Sequence, residues 1–285
     1  MKILATTILV FVSCMGLRAQ QTDSLLLSRP VLPWFVERFK LSAGFFLPIN
    51  NTNIQVGING TAHGTDIDFE KDLGFATSIG TFMANAQWRI SRRSHVSFSY
   101  YKINRSSTHT LDRDIIFKED TFHANAVTNS FFRNSIFQVS YGYSIVSKPK
   151  YEAGLMIGAH VVGSKAGLSL NTTAGGLSKE SDFGFTAPLP DLGIWGGYAF
   201  TKKFAVNLEV DYLSLTVGDV TGSIFAYNLA FTYKVAPKFD LALGFTGLNC
   251  KVDVEKDNAN GHFIWGYNGP SFSVVFSFGD KSWRH

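Results

Sequence analysis

Residues Asn134–Ser164 read NSIFQVSYGYSIVSKPKYEAGLMIGAHVVGS. Phe137, Val139, Tyr141, Tyr143 and Ile145 alternate with Gln138, Ser140, Gly142 and Ser144. After the turn Ser147-Lys148-Pro149-Lys150, the alternation resumes. Tyr151, Ala153, Leu155, Ile157, Ala159 and Val161 then interleave with Glu152, Gly154, Met156, Gly158 and His160. A period of two is the pleat of a strand, with one apolar face. The opposite face is small and weakly polar rather than charged. Strands of about ten residues joined by a tight turn, with those two faces, carry the signature of a membrane-spanning β-hairpin.

The rest of the 285 residues agrees with that hairpin. Charged residues make up 17%, below the roughly 25% of soluble domains, and Phe and Gly each number 26. Mean hydropathy is only +0.07. Past the N-terminus no apolar run approaches the ~20 residues of a membrane helix. A barrel reconciles these values, because only every second residue faces lipid. A soluble β-sandwich would solvate its second face and would carry more Lys and Glu there. The expected fold class is therefore all-β: a transmembrane antiparallel up-and-down β-barrel of about ten strands. Net charge is +4, but no basic helix or aromatic–basic motif points to nucleic acid.

The N-terminus reads as an export signal over residues 1–19. Lys2 is the charged region, Ile3–Val12 the apolar region, and Leu17-Arg18-Ala19 the cleavage site. Phe11-Val12-Ser13-Cys14 is a loose lipobox alternative. Cleavage after Ala19 leaves Cys250 as the remaining cysteine, with no intramolecular disulfide. Residues 20–37 are expected as a periplasmic leader and residues 38–285 as the barrel. Trp34-Phe35-Val36 either packs under the barrel mouth or starts the first strand early.

Ten strands are expected. The first covers Phe39–Phe46, with an extension over Asn53–Thr61, and the second Thr77–Ile90. The third runs from His95 to about Arg105, and the opening hairpin supplies the fourth and fifth. The sixth starts near Pro188-Leu189-Pro190, because proline cannot donate to a ladder and belongs at a strand entrance. The last four put Phe204–Tyr212, Phe225–Val235, Phe239–Phe245 and Phe272–Phe278 against lipid, with a bulge at Gly269-Pro270. Ser106–Asn129 and Asn171–Phe185 are expected as outer loops. Short turns such as Ser91-Arg92-Arg93-Ser94 fall on the periplasmic side.

The export signal, the alternating strands and a final strand ending in Phe278 resemble bacterial outer-membrane β-barrel proteins over most of the mature chain. IDFEKDLGF (Ile67–Phe75), FSYYKINRS (Phe98–Ser106) and PLPDLGIWGGY (Pro188–Tyr198) are similar to phrases of an uncharacterised Gram-negative barrel family. Asp23-Ser24-Leu25 resembles the three-residue glycosylation site of Bacteroidota. The resemblance implies an outer-membrane location and transfers no activity or cofactor.

Strand phase points Lys40, Arg89, Glu152, His160, Glu209, Asp211, Lys234 and Asp240 into the lumen. Charges there pair as a structural plug, or Glu209 and Asp211 form a cation-preferring constriction. Asp66, Asp68, Glu70 and Asp72 project to one side if extended, as oxygen ligands of a divalent cation would; the plain alternative is a solvated acidic loop. Asp112, Asp114, His123, Asp219 and His262 are the rim candidates for a hydrolase, with no motif joining them. The expected role is a non-enzymatic structural or accessory barrel without cofactor. Its partners would be outer-membrane lipids and another outer-membrane protein. A narrow channel is the first alternative and a rim hydrolase the second.

Overall fold

The computed structural model describes residues 32–58, 64–118, 120–170, 180–256 and 259–279. The signal segment, Cys14 and leader residues 20–31 lie outside them. Along the chain run β1 (Phe39–Phe46), β2 (Ile49–Ile58), β3 (Ile67–Asp68), α1 (Phe69–Asp72), β4 (Thr81–Arg89) and β5 (Ser94–Thr110). Next come β6 (Ile115–Phe117), β7 (Asp120–Phe122), β8 (Val127–Ser147), β9 (Tyr151–Leu170) and β10 (Glu180–Ala199). The chain closes with β11 (Phe204–Val217), β12 (Val220–Ala236), β13 (Phe239–Lys256) and β14 (Ala259–Phe278).

Twelve of these strands form one antiparallel sheet whose ends meet, because β1 pairs with both β4 and β14. Leu47-Pro48 separates β1 from β2, yet both lie along β14 in a single register, Phe46 against Ser271 and Ile49 against Asn268. Counting them as one interrupted stave, and setting aside the two-residue β3, leaves ten staves. Closure removes the sheet edges that would otherwise be unsatisfied in lipid.

The alternation has a property that its period alone does not reveal: its sense reverses part-way up the long staves. On β9 the lower outward residues are apolar, with Leu155 55% and Ile157 58% exposed, and the lower inward residues include Glu152 and His160, 1% and 2% exposed. Above Val161 the outward residues are Gly163, Lys165 and Ser169, while inward Val162, Ala166 and Leu168 are buried. β13 repeats this: outward Phe239, Leu241, Leu243 and Phe245 give way to Asn249, Lys251 and Asp253, and inward Leu248 and Cys250 are buried. The lower half faces lipid outside and polar groups inside. The upper half has a polar outside and an apolar inside, as a water-soluble barrel would.

Two expected loop segments are strand, the second of them because Phe183 and Phe185 follow the reversed phase. Ser106–Thr110 continues β5, and Glu180–Phe185 belongs to β10, although both were expected to be loop. A third correction concerns Pro188 and Pro190, which lie inside β10, paired in register with Val161 and Ala159 of β9. The amide of Ala199 donates to Lys150 O on the β9 side, and that of Phe200 donates to Phe204 O on the β11 side. Even-numbered β10 positions therefore face β11. Both prolines occupy such positions, so the β9 ladder loses no donor. Pairing of β10 with β11 stops at Leu192↔Tyr212. The bulge expected at Gly269-Pro270 is absent: β14 runs through it without a register shift, and shifts occur instead at Ser144/Val146 and Lys234/Ala236.

Candidate functional site: the layered lumen

The lumen is a stack of layers, each built from inward positions of neighbouring staves. At the periplasmic mouth, Phe35 and Val36 pack on Ala199 and Ala205. Trp34 Nε1 donates to Thr201 O at 2.9 Å, and Lys234 Nζ stands 5.2 Å from the Trp34 ring. Of the two arrangements expected for this segment, packing under the mouth is the one observed.

Above lies a charged layer. Arg89 Nη1 and Nη2 donate to Glu152 Oε1 and Oε2 at 2.9 and 2.8 Å, and Nη1 also donates to Arg92 O. Both partners are almost wholly buried, so the fork geometry offsets desolvation. Lys40 lies beside Phe35, with Nζ 5.8 Å from the ring. The small inward residues make the space: at Gly142 a Cβ would sit 2.4 Å from the His95 ring, which packs edge-on against Trp195. With Lys40, Arg89, Glu152 and Asp240 these groups line a chamber of about 260 Å³.

The next layer is acidic. His160 Nδ1 and Asp191 Oδ2 are 2.8 Å apart and buried. Gln138 Nε2 donates to Glu209 Oε1 at 3.3 Å, and Asp211 fills the place that a Cβ on Gly193 would take. His160, Glu209 and Asp211 line a smaller space of about 70 Å³ that reaches Tyr101 and Tyr267, whose hydroxyls are hydrogen-bonded to each other. Asp191 was not among the sequence candidates. Its signal is present in the sequence, since it shares the parity of inward Gly193 within the expected sixth strand.

Over the tyrosine pair sits a large apolar cluster. It includes Phe46, Ile54, Ile103, Phe132, Ile136, Phe263 and Trp265 from the staves and Phe69, Leu73 and Phe75 from the first outer loop. Phe132 meets Phe69, Phe263 and Trp265. Arg105 fastens the loop: its guanidinium lies 5.3 Å from both the Phe75 and Phe132 rings and donates to Glu70, Thr52 Oγ1 and Ala76 O.

The four loop carboxylates do not converge. Asp68 caps α1, accepting from Lys71 N at 3.0 Å, and Glu70 takes Arg105 and Thr52 N. Asp72 accepts from Arg113 Nη2 at 2.7 Å and from Asp68 N at 2.9 Å, while Asp66 gives Arg113 its carbonyl. Burial alone would raise the Asp72 carboxyl, but these hydrogen bonds and the Arg113 charge hold it below its ordinary value. On the rim, His123 Nδ1 lies 3.2 Å from Asp114, whose other oxygen accepts from Ala124 N. His262 Nε2 is instead hydrogen-bonded to Asn53 Oδ1, and Asp219 is exposed in the β11–β12 turn. The structure therefore brings Asp114 and His123 together and leaves His262 and Asp219 elsewhere.

The fold and its lipid-facing belt define a β-barrel protein of the Gram-negative outer membrane, and that is where this protein resides. Among solved structures it is similar to the outer membrane protease OmpT from Escherichia coli, with TM-score 0.53, 10% identity, and 86% of this chain and 100% of that chain covered. Weaker likenesses are Ail, the attachment invasion locus protein of Yersinia pestis (TM-score 0.33, 8% identity, covering 83% and 99%), and the toluene transporter TodX of Pseudomonas putida (TM-score 0.34, 8% identity, covering 92% and 95%). No family model and no curated protein matches the chain.

Proposed function

We propose that this barrel is sealed along its axis and serves as a non-enzymatic structural or accessory component of the outer membrane, acting through its surfaces. The observation that carries the reading is the apolar plug: the cluster spanning Phe46 to Tyr267 fills the lumen above the acidic layer. A permeant ion would lose its hydration among these packed rings, where the buried Arg105 and Glu70 are already committed to each other and Ser164 to Asn134. Glu209 and Asp211 lie beneath that plug and act as plug-supporting groups. The Asp114–His123 pair is exposed at the base of the β6–β7 hairpin, with Asp114 already committed to a backbone amide. That arrangement favours a role in holding the two ends of the hairpin together.

Two measurements test the proposal. Planar-bilayer recording of the purified protein is expected to show no discrete steps; steps altered by Glu209→Gln would replace this reading with a channel. Affinity purification in mild detergent is expected to recover a stoichiometric outer-membrane partner. A protein that purifies alone and hydrolyses peptide or lipid substrates would overturn the non-enzymatic assignment.

A further inference from the structure

The ladder around the upper wall is interrupted in two places. Above Met83↔Tyr101 the ladder between β4 and β5 ends, leaving a bond from Thr81 Oγ1 to Lys102 O, and the first outer loop fills the gap: Ser107 Oγ donates to Gly74 O and Arg105 grips Glu70. The second interruption, above Leu192↔Tyr212 between β10 and β11, has no such cover among the described residues. Continuing the register would set Pro190 against Ser214 and Pro188 against Thr216. Neither proline has the N–H that the opposite carbonyl would need. The sequence itself therefore ends the pairing at that height.

The consequence is a notch through the wall, about 180 Å³ in volume, lined by Pro188, Leu189, Pro190, Leu213, Leu215 and Ile224 among others. Leu215 has inward parity yet is 49% exposed, because the wall beside it is open. The floor is the surface of the apolar plug itself, since Leu189 and Ile224 belong to that cluster. The notch begins where the lipid belt ends: Leu192 and Tyr212, which close its lower edge, are outward and more than half exposed. The apolar surface is thus continuous from the belt, past the prolines, into the wall. Apolar cavities of about 150 Å³ stay dry and take hydrocarbon ligands.

We propose that this notch is a lateral docking slot for one hydrocarbon chain of a lipid in the adjacent membrane leaflet. Lipid chains cover the belt with which the slot is continuous. The β10 edge of the gap offers little to a partner strand, because two of its donor positions are proline. The inference is independent of the axial seal, which lies along a different direction, and its failure would leave that seal untouched.

The test uses a photo-cross-linking residue, p-benzoylphenylalanine, in the full-length protein reconstituted in vesicles of phosphatidylethanolamine and phosphatidylglycerol. It is placed singly at Leu215, at Val252 on the notch wall, at Leu243 in the belt, and at Lys251, the outward neighbour of Val252. Lipid adducts are expected at Leu215, Val252 and Leu243 and not at Lys251. Adducts at Leu243 alone would overturn the proposal. Restoring the two donors with Pro188→Val/Pro190→Val is expected to reduce the Val252 adduct severalfold and leave Leu243 unchanged; an unchanged Val252 adduct would also overturn it. Should the probe at Val252 prevent folding, judged by heat-modifiable gel mobility, native mass spectrometry of the unsubstituted protein decides. Retention of one more lipid than the double valine variant supports the slot, and equal retention refutes it.

Discussion

Glu152 and Arg89 meet in a bidentate pair with almost no exposure, so the two possible ways of removing the pair have different costs. Glu152→Ala strands a buried guanidinium and is expected to cost about 3–5 kcal/mol, whereas Arg89→Met/Glu152→Met removes both charges and should cost markedly less. Urea unfolding in lipid vesicles, followed by gel mobility, compares them. Asp72 behaves differently, because its partner Arg113 is half exposed and the pair is worth at most about 1 kcal/mol. Its carboxyl is held below the ordinary value in the folded protein. Its contribution is therefore complete above the unfolded value of about 3.9 and disappears as pH falls through the lower folded value. Hydrogen exchange over residues 64–73 should stay slow at about pH 5 and accelerate below about pH 3. Asp72→Asn should accelerate it already at neutral pH.

At the scale of the strand, the reversed alternation makes a comparison possible within one element. Leu155 and Ser169 have the same parity on β9, but one lies in the belt and the other above it. Leu155→Arg is expected to destabilise by about 2–4 kcal/mol and Ser169→Arg by less than about 1 kcal/mol. Equal costs would mean that no boundary lies between them. The same reversal explains how much could be read from the sequence. Phe137–Ile145 and Tyr151–Val161 declared themselves through a single apolar phase, and so did the lipid faces of the last four strands. Glu180–Phe185 escapes a single-phase reading because Phe183 and Phe185 lie on the inward side, and Ser106–Thr110 because it holds no apolar residue to mark a face. Pro188 and Pro190 misled for a related reason: a proline harms only the ladder that its missing N–H faces, and which neighbour that is depends on pairing across 30 residues of chain. Lys40, Arg89, Glu152, His160, Glu209 and Asp211 were placed inward from parity alone. The partners Asp191 and Gln138, and the tyrosine pair, required the registers.

For the molecule as a whole, the sealed lumen divides stability between two regions. The outer half has a core of aromatic and aliphatic side chains; the inner half depends on ion pairs, small residues and the Trp34–Val36 segment. Phe132→Ala should cost about 3–5 kcal/mol. Phe35→Ala opens the periplasmic chamber but is expected to give no conductance in a planar bilayer, because the apolar plug remains above it. Sustained conductance in Phe35→Ala would show that the N-terminal segment, rather than the plug, is the seal.

The reversal on β9 also sets a height. The belt ends near Val161, and the strand continues to Leu170. That remainder is roughly 30 Å of chain at about 3.3 Å per residue. With the tilt of about 40° usual for such strands, it lifts the outer loops on the order of 20 Å above the edge of the lipid belt. A molecule approaching the cell therefore meets a polar collar before it meets the membrane, and the first loop is packed into the dry interior of that collar. An antibody or phage fibre directed at those loops could bind them with surface sugars packed around the base.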